Sequence, residues 1–283
     1  MEYGAESVID VEYQGRFAIL TINNPKKANA LSRTQYYELS QKVREVAARD
    51  DVIVTVLLGK GRFFSAGADV GMPRASPKDG QNVDIYREYL QTFAAHNLNL
   101  CHAFATHPKI LVAGLNGPAV GMSAAIIAHA DFIYCAEGAY LLTPFSSLGL
   151  VAEGGASAAL ARRLGPARAL EAMVTSKRIS ATELERCGFV NAVLKPEGSG
   201  VAAGEGETDW FRERLLREVR ESLGEHLNGE SMLGIKALIR RPDMETMHRQ
   251  NVHEVFAGLE RFVSGVPQEQ FRKIARGEKR HKL

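Results

Sequence analysis

The segment that decides the fold is Phe63-Phe64-Ser65-Ala66-Gly67-Ala68-Asp69, together with a second one, Asn116-Gly117-Pro118-Ala119-Val120-Gly121-Met122-Ser123-Ala124-Ala125. Each follows a run of apolar residues typical of a buried strand, 52–58 for the first and 110–115 for the second. Each has small residues where the strand must turn, which lets backbone N–H groups approach a ligand closely. Two such turns side by side predict a pair of amide donors for a developing negative oxygen.

A third segment, Leu148-Gly149-Leu150-Val151-Ala152-Glu153-Gly154-Gly155, places one acidic residue among small and apolar ones. Glutamates in loops are mostly solvent-exposed, but Glu153 has no polar neighbours and is followed by two glycines that permit close approach of a ligand. We therefore predict that Glu153 is a functional carboxylate. Burial would raise its pKa and a following helix N-terminus would lower it, and the sequence leaves both outcomes open.

These three segments resemble the active-site signature of the crotonase (enoyl-CoA hydratase/isomerase) superfamily. They are most similar to its peroxisomal Δ3,Δ2-enoyl-CoA isomerase branch, especially the fungal form, and the likeness runs from the N-terminal hairpin to the last residue, including 263–267. The resemblance implies an α/β crotonase (ClpP/crotonase-like) fold. Residues 1–200 would form a spiral core of repeated ββα units with the acyl-CoA site, and 201–283 a helical trimerisation region with a basic tail.

The resemblance also implies roles for individual residues. The amides of Ala68 and Met122 would form the oxyanion hole, Glu153 would carry the proton, and Asn97 matches a position that holds a catalytic carboxylate or a water beside it. Residues implied to bind acyl-CoA are Lys26, Lys27, Ala28, Ala66, Gly67, Asp69, Gly121, Phe145, Phe271 and Lys273. A solvated turn for the two lysines and a helix-surface position for Asn97 stay open, and Asp69 is better explained as a helix cap or loop brace than as an acid.

The implied reaction converts 3-enoyl-CoA to 2-trans-enoyl-CoA in fatty-acid β-oxidation, with removal of a C2 proton and return of one at C4. Hydratases of the family use two glutamates that flank a water, and the corresponding positions here are Ala125 and Phe145. Neither side chain can bind a proton. The pattern therefore favours a one-base isomerase with weak or absent hydratase activity.

Three alternatives remain at this stage. The first is hydration of 2-enoyl-CoA on the same fold. The second is another acyl-CoA reaction, such as thioester hydrolysis, decarboxylation or dehalogenation, for which Asp69 and His96 are the nearby candidate groups. The third is a non-catalytic scaffold or RNA-binding relative, supported only by the basic stretch 272–282, which a solvated tail explains equally well.

Composition limits the kinds of partner, cofactor and membrane segment that we expect. The formal net charge of the 283 residues is +2, so no broad basic face for nucleic acid is expected. Cys101, Cys135 and Cys187 lie outside any CxxC spacing and predict free thiols in a reducing compartment, and neither a metal nor a cofactor besides the coenzyme A of the substrate is expected. Residues 1–10 lack the build of a signal peptide, and no apolar run reaches the roughly 18 residues of a membrane span.

The last three residues, His281, Lys282 and Leu283, resemble a Ser-Lys-Leu peroxisomal signal but depart from it at the first position. Beside the acyl-CoA interpretation they predict a peroxisomal matrix protein that binds the import receptor. The resemblance further implies a homotrimer or a dimer of trimers built by the C-terminal helices.

Local patterns predict the remaining elements. These are a hairpin turning at 13–16, a helix capped by Ser32, a mobile loop over 71–82, a helix over 83–104, a capping box at Ser180 and Glu183, a linker over 195–208, and two helices with apolar stripes. The stripes are expected to pack in the core or at an interface.

Overall fold

The computed structural model describes residues 7–77, 84–196 and 207–279. Its strands are β1 (Ile9–Gln14), β2 (Phe17–Ile22), β3 (Val54–Gly59), β4 (Ile110–Leu115), β5 (Ala119–Val120), β6 (Phe132–Ala136), β7 (Tyr140–Leu142), β8 (Ile179–Ser180) and β9 (Ala192–Leu194). In these ranges they form a larger sheet, ordered β1-β2-β3-β4-β6-β9, and a smaller one, ordered β5-β7-β8. The predicted hairpin pairs β1 with β2, and the larger sheet is otherwise parallel.

The helices are α1 (Arg33–Ala47), α2 (Ile85–Tyr89), α3 (Ala95–Ala105), α4 (Met122–Ile127), α5 (Ala156–Leu164), α6 (Pro166–Val174), α7 (Ala181–Arg186), α8 (Glu207–Leu223), α9 (Gly229–Val263) and α10 (Val266–Ala275). Local sequence sets several of their starts. Ser32 forms a capping box with Gln35 at α1, and Ser180 forms one with Glu183 at α7. Both predicted caps are confirmed.

The central strands β3 and β4 are buried along their whole length because both faces of the larger sheet are covered. Side chains alternate between the faces, so that Val54 and Val56 pack with α8 while Leu57 packs in the core on the other side. Each strand therefore reads as a continuous apolar run, and each delivers its Gly-containing turn at the same edge of the sheet.

The helix predicted over 83–104 is present as α2 and α3, joined without a break by a π-helical turn, Leu90–Ala94. A π turn changes the direction of the side chains around it and is frequent near functional sites. Here Phe93 packs against Phe262 of α9 with ring centroids 4.7 Å apart, while Thr92 and His96 line the cavity described below.

The C-terminal helices do not form a separate layer. The apolar stripe of α8 packs on the larger sheet, where Leu215 and Val219 are fully buried. Gly114 of β4 makes the room, because a Cβ there would lie 2.2 Å from Leu215 Cδ2. In α9 the second half packs against the π turn and α3, whereas the first half exposes Leu238 to 70 %. The division of the chain at residue 200 stays a prediction, because 197–206 lie outside the described residues.

The loop after residue 70 differs from the prediction. The described part, 71–77, is packed around Ala75 and Ser76: Tyr89 Oη and Gln268 Nε2 both donate to Ala75 O, at 2.6 and 3.0 Å, and Ser76 is buried, while Gly71, Pro73 and Pro77 are exposed. The expectation of an unpacked loop is wrong for these residues because α10 folds back over them. Among the described helices, none combines the length and apolar character that crossing a bilayer requires.

Candidate active site

The first turn presents the amide of Ala68 to a cavity. The neighbouring segment that precedes α1 holds the turn, with Leu31 N–H donating to Gly67 O at 2.9 Å and Asp69 N–H donating to Leu31 O at 3.0 Å. These bonds use Gly67 O and Asp69 N–H, which point to the same side of the chain. The N–H of Ala68 therefore points to the opposite side. Within the described ranges this N–H has no protein acceptor, and Ala68 lines the cavity.

The second turn presents the amide of Met122. This residue opens α4, and a first helical position has no acceptor within the helix. Gly121 before it has φ +59°, which turns the chain into the helix. The two turns touch, because a Cβ on Gly67 would lie 2.7 Å from Val120 O. Met122 lines the same cavity as Ala68, as the prediction of two paired turns requires.

Three buried hydroxyl groups tie these turns together. Ser65 Oγ donates to Asn29 O at 2.7 Å, and because a carbonyl only accepts, the Ser65 proton is committed there. Ser123 Oγ, 2.8 Å away, must then donate to Ser65, and Tyr36 Oη, 2.9 Å further on, must donate to Ser123. The Tyr36 proton thus points away from the cavity, so the donors aimed into it here are the backbone amides.

The third turn places Glu153 beside them. Asn97 of α3 holds this turn: its Oδ1 accepts Gly154 N–H at 3.2 Å, which leaves Nδ2 to donate to Glu153 Oε2 at 3.3 Å. Asn97 is buried, so the open alternative of a helix-surface residue is wrong. Glycine suits position 154 because φ is +69° and a Cβ there would lie 2.8 Å from Met122 Sδ and 3.1 Å from Ala125 Cβ.

The electrostatics of Glu153 are unusual. Burial raises the pKa of this carboxyl to about 7, and the charge of Glu254 acts in the same direction, while Arg74 and the Asn97 hydrogen bond act against them. Of the two influences that the sequence leaves open, burial therefore prevails. A group with a pKa near neutrality can both take and return a proton at physiological pH.

The N-terminus of α5 is occupied by a different carboxylate. Glu254 of α9 accepts Gly155 N–H at 2.7 Å and Ser157 N–H at 2.6 Å, one with each oxygen. Glu153 therefore lies beside this helix end without receiving these amide hydrogen bonds.

The cavity that these groups line is narrow, about 100 Å³, and mostly apolar. Within the described residues Glu153 is its only carboxylate. Its walls include Tyr36 of α1, Leu100 of α3 and Phe262 of α9. A second cavity of about 390 Å³ shares Met72, Arg74 and Phe271 with it. Together they extend from Glu153 toward α10.

The residues predicted to bind acyl-CoA are placed unevenly. Phe271 lines both cavities, with the Arg74 guanidinium 3.9 Å from its ring centroid. Lys273 lines neither of them, because two residues along a helix turn the side chain by about 200°. Phe145 also lines neither, because it is buried in the main core. Of the residues predicted to bind acyl-CoA, Phe271 thus lines these two cavities, whereas Phe145 and Lys273 do not.

Lys26, Lys27 and Ala28 lie beside the first turn rather than in the cavity. Ala28 O accepts Ala66 N–H at 2.9 Å, which joins the two segments. Lys27 Nζ lies 2.8 Å from Asp69 Oδ2, and this contact holds the pKa of Asp69 below its usual range. Asp69 also accepts Gly71 N–H, so the prediction of a loop brace is confirmed.

A larger cavity, about 500 Å³, lies between β6, α5 and the first half of α9. Its buried carboxylate, Asp131, accepts Leu111 N–H and lies 2.7 Å from Lys236 Nζ and 2.8 Å from Arg240 Nη2. Burial alone would raise the pKa of Asp131, but the two cations and the amide lower it. Among the described residues that line this cavity, the carboxylate is Asp131, and its lowered pKa keeps it ionised near neutral pH.

The described residues contain no group of three His, Cys, Asp or Glu side chains placed to hold a metal ion. The three cysteines are free thiols, as predicted. The tripeptide 281–283 lies outside the described residues.

A family model described as enoyl-CoA hydratase/isomerase matches residues 12–201. The chain belongs to this family, the crotonase family. It is 54% identical over 281 residues to a Pyricularia oryzae protein named Delta(3,5)-Delta(2,4)-dienoyl-CoA isomerase, covering 98% of this chain and 99% of that one. It is 31% identical to the Saccharomyces cerevisiae 3,2-trans-enoyl-CoA isomerase, covering 97% and 96%. A mouse relative, 28% identical over 91% of this chain and 73% of its own, is named Enoyl-CoA delta isomerase 3, peroxisomal.

Among solved structures, an enoyl-CoA hydratase/isomerase from Pseudoalteromonas atlantica superimposes with a TM-score of 0.78 at 23% identity, covering 98% of this chain and all of that one. At that identity the likeness supports the fold alone. The predicted crotonase fold is confirmed, and so is the presence of a C-terminal helical region.

Two residues of this crotonase site escape sequence reasoning. Arg74 lies in the loop predicted to be mobile, so nothing in the local pattern marks it as a wall of the cavity. Glu254 left a signal, since its position fits the helical repeat of Met247, Val255, Leu259 and Phe262, which form the buried face of α9. A charged residue on a mostly apolar helix face requires a buried partner, and that partner is visible only in three dimensions.

Proposed function

We propose that this crotonase-family chain is a Δ3,Δ2-enoyl-CoA isomerase that converts 3-enoyl-CoA to 2-trans-enoyl-CoA in fatty-acid β-oxidation. The single observation that carries the proposal is that Glu153, the one carboxylate that lines the cavity among the described residues, shares it with Ala68 and Met122, whose backbone amides have no acceptor within the described residues. The names of its relatives in Saccharomyces cerevisiae and mouse support the same reaction class.

In the proposed mechanism the thioester oxygen accepts hydrogen bonds from the backbone N–H groups of Ala68 and Met122. The Glu153 carboxylate removes a proton from C2, and the negative charge of the resulting dienolate collects on that oxygen. The protonated Glu153 then returns the proton to C4, so that no net proton is gained or lost. Two preorganised donors lower the energy of the dienolate most, because they meet charge that is absent in the substrate.

The raised pKa of Glu153 serves this chemistry. A carboxylate with its ordinary pKa is a weak base for a proton next to a thioester. A pKa of about 7 reduces the difference in pKa between the carboxyl group and the C2 proton, and it leaves the carboxyl ionised at slightly alkaline pH. Asn97 keeps the carboxylate turned into the cavity. We assign it a positioning role.

The same site argues against hydration. At the positions where hydratases of the family hold two glutamates, this chain has Ala125 and Phe145, and both are buried in the core. Among the described residues the cavity has one carboxylate, so they do not supply the pair of glutamates with which hydratases flank a water.

A second candidate is isomerisation of 3,5-dienoyl-CoA to 2,4-dienoyl-CoA, the reaction named for the Pyricularia oryzae relative. It begins with the same C2 proton and the same oxyanion, but the proton must return at C6. Glu153 would have to serve a carbon farther along the chain, or a second group would have to do so.

Turnover of 3-hexenoyl-CoA, a 3,5-dienoyl-CoA and crotonyl-CoA by one preparation separates these reactions. We expect 3-hexenoyl-CoA to be converted efficiently and crotonyl-CoA hydrated slowly if at all. The Glu153→Gln variant should lose about 10³-fold in isomerase kcat, since it removes the proton carrier and keeps the shape. Hydration of crotonyl-CoA that survives Glu153→Gln would defeat the assignment, and preferential turnover of the dienoyl substrate would favour the second candidate.

For coenzyme A we propose binding along Lys26, Lys27 and Ala28 at one end and Phe271 at the other. Lysines suit a polyanion, and the segment 26–28 adjoins the turn that carries Ala68. Lys273 keeps only the support of the family resemblance.

We also propose a homotrimer, or a dimer of trimers, joined through the C-terminal helices. The exposed apolar residues Ile235, Leu238 and Ile239 on the first half of α9 support contact with a second copy. Light scattering should give a multiple of the trimer mass, and Leu238→Glu should lower it; a monomeric mass for the unmodified chain would contradict the proposal.

For location we propose the peroxisomal matrix, with import through the last three residues. The name of the mouse relative and the likeness of His281-Lys282-Leu283 to a peroxisomal signal support it. A fluorescent fusion that preserves this C-terminus should be peroxisomal, and removal of the three residues should leave it outside the organelle.

A further inference from the structure

We infer that Glu254 is a positioning residue for the isomerisation. By binding the first amides of α5, Glu254 keeps these amides and their partial positive charge from acting on Glu153. The inference rests on the proposed function and names a residue of α9, far in sequence from all three active-site turns.

The geometry is specific. Both Glu254 oxygens accept amide hydrogen bonds, from Gly155 at 2.7 Å and Ser157 at 2.6 Å, and the side chain is 5 % exposed. Among the residues that the structure describes, no Lys, Arg or His forms an ion pair with it. A buried carboxylate without a cation is costly, and here backbone donors alone satisfy it.

The position of Glu254 has two consequences for Glu153. The first amides of a helix carry a partial positive charge that favours a nearby anion, and Glu254 occupies those of α5 in place of Glu153. Burial raises the pKa of Glu254 and its amide hydrogen bonds lower it, and both of its oxygens accept N–H groups, as those of an ionised carboxylate do. A second negative charge close to Glu153 also disfavours the ionised form of Glu153. Both effects act in the direction of a stronger base, and the pKa of Glu153 is raised by burial first and by Glu254 second.

Other groups near Glu153 act differently. The charged or titratable side chains around the cavity are Arg33, Tyr36, Arg74, Tyr89 and His96, and His129 lies behind Gly154. The nearby cation, Arg74, lowers the pKa of Glu153 and so opposes Glu254. Burial lowers the pKa of His129 to about 4, which keeps it neutral at pH 7. Glu254 is thus the neighbouring group whose charge strengthens Glu153 as a base.

Glu254→Gln tests this by removing the charge while keeping the size. We expect the midpoint of Glu153 ionisation to fall by about one pH unit. This midpoint is measured by infrared difference spectroscopy. The spectrum of a protein that carries Glu153→Gln is subtracted from the spectrum of the same protein without that substitution, which isolates the Glu153 carboxyl band. The acid limb of the isomerase pH profile should move by the same amount, and kcat should fall about tenfold with KM changed less than threefold, because a weaker base slows only the chemical step.

Two further variants separate charge from packing. Glu254→Asp keeps the charge with a shorter reach, and should retain the midpoint more closely than Glu254→Gln even if it melts lower. Glu260→Gln, on an exposed position of the same helix, should leave midpoint, kcat and Tm unchanged. If Glu254→Gln lowers Tm but leaves the midpoint in place, Glu254 is only a helix cap and the inference fails.

The infrared titration needs no turnover. If the unmodified chain proves inactive on 3-enoyl-CoA, the proposed function fails, yet the shift of the Glu153 midpoint still decides whether Glu254 controls it.

Discussion

Glu153 and Asp131 are two partly buried carboxylates in one molecule, and their surroundings give them opposite properties. Asp131 lies within 2.8 Å of Lys236 and Arg240, which hold its pKa below the usual range against the effect of burial. Glu153 receives a long hydrogen bond from Asn97 at 3.3 Å and has Glu254 nearby, and its pKa is about 7.

The difference teaches that burial alone does not mark a catalytic acid. A buried carboxylate paired with cations remains ionised near neutral pH and stabilises the fold around it. One that is desolvated without a cation partner exchanges protons near neutrality and costs stability when ionised. The larger cavity of this protein holds the first kind, and the smaller one holds the second.

The largest expected effect comes from Asp131→Asn. Two buried cations lose their shared carboxylate, so the free energy of unfolding should fall by about 3–5 kcal/mol, measured by urea unfolding at pH 7. The matched control is Asp243→Asn, which breaks the exposed Arg162 pair and should cost less than about 0.5 kcal/mol. Equal losses in the two variants would mean that the Asp131 cluster is no more than a surface ion pair.

A smaller effect of opposite sign is expected for Glu153. Its folded pKa lies above the unfolded value, so the contribution of Glu153 to the free energy of unfolding should fall as pH rises from about 4.5 to 7, by roughly 1–3 kcal/mol in total. Glu153→Gln should remove this fall, and its stability relative to wild type should increase between pH 5 and pH 8. Because the pKa of Asp131 is lowered, its contribution should be complete above about pH 4 and lost on further acidification.

Unfolding free energies at pH 5 and pH 8 check both signs. A wild-type advantage over Glu153→Gln that grows toward alkaline pH would show that Glu153 is stabilised as an anion, as Asp131 is.

The smallest effect is expected for Asn97→Ala. The Glu153 carboxylate loses a donor and Gly154 N–H loses an acceptor, so we expect a fall in kcat of about tenfold, since one hydrogen bond to a charged group contributes on this scale. Asn99→Ala, two residues along the same helix and bonded instead to Ser40, is the control and should retain kcat within about twofold. Unchanged turnover by Asn97→Ala would show that Asn97 does not position Glu153 for catalysis.

Sequence reasoning reached further for the strands and turns than for the helices around the cavity. The β4 strand, the caps of α1 and α7 and the three turns with Ala68, Met122 and Glu153 follow from local patterns or from the family signature carried by consecutive residues. Phe145 and Lys273 were placed at the site by resemblance, but the side chain of one enters the core and that of the other points along a different face of α10.

The sequence by itself determined the buried strands, the positions where the chain must turn on glycine, and the presence of one carboxylate in an apolar loop. These follow from steric rules and periodicities that act over a few residues. Only the tertiary structure decided the chemistry of that carboxylate, because its pKa depends first on burial and then on Glu254, Arg74 and Asn97, which come from a loop and two helices distant in the chain. Electrostatic influence acts through space, and no local pattern records which distant groups the fold will bring together.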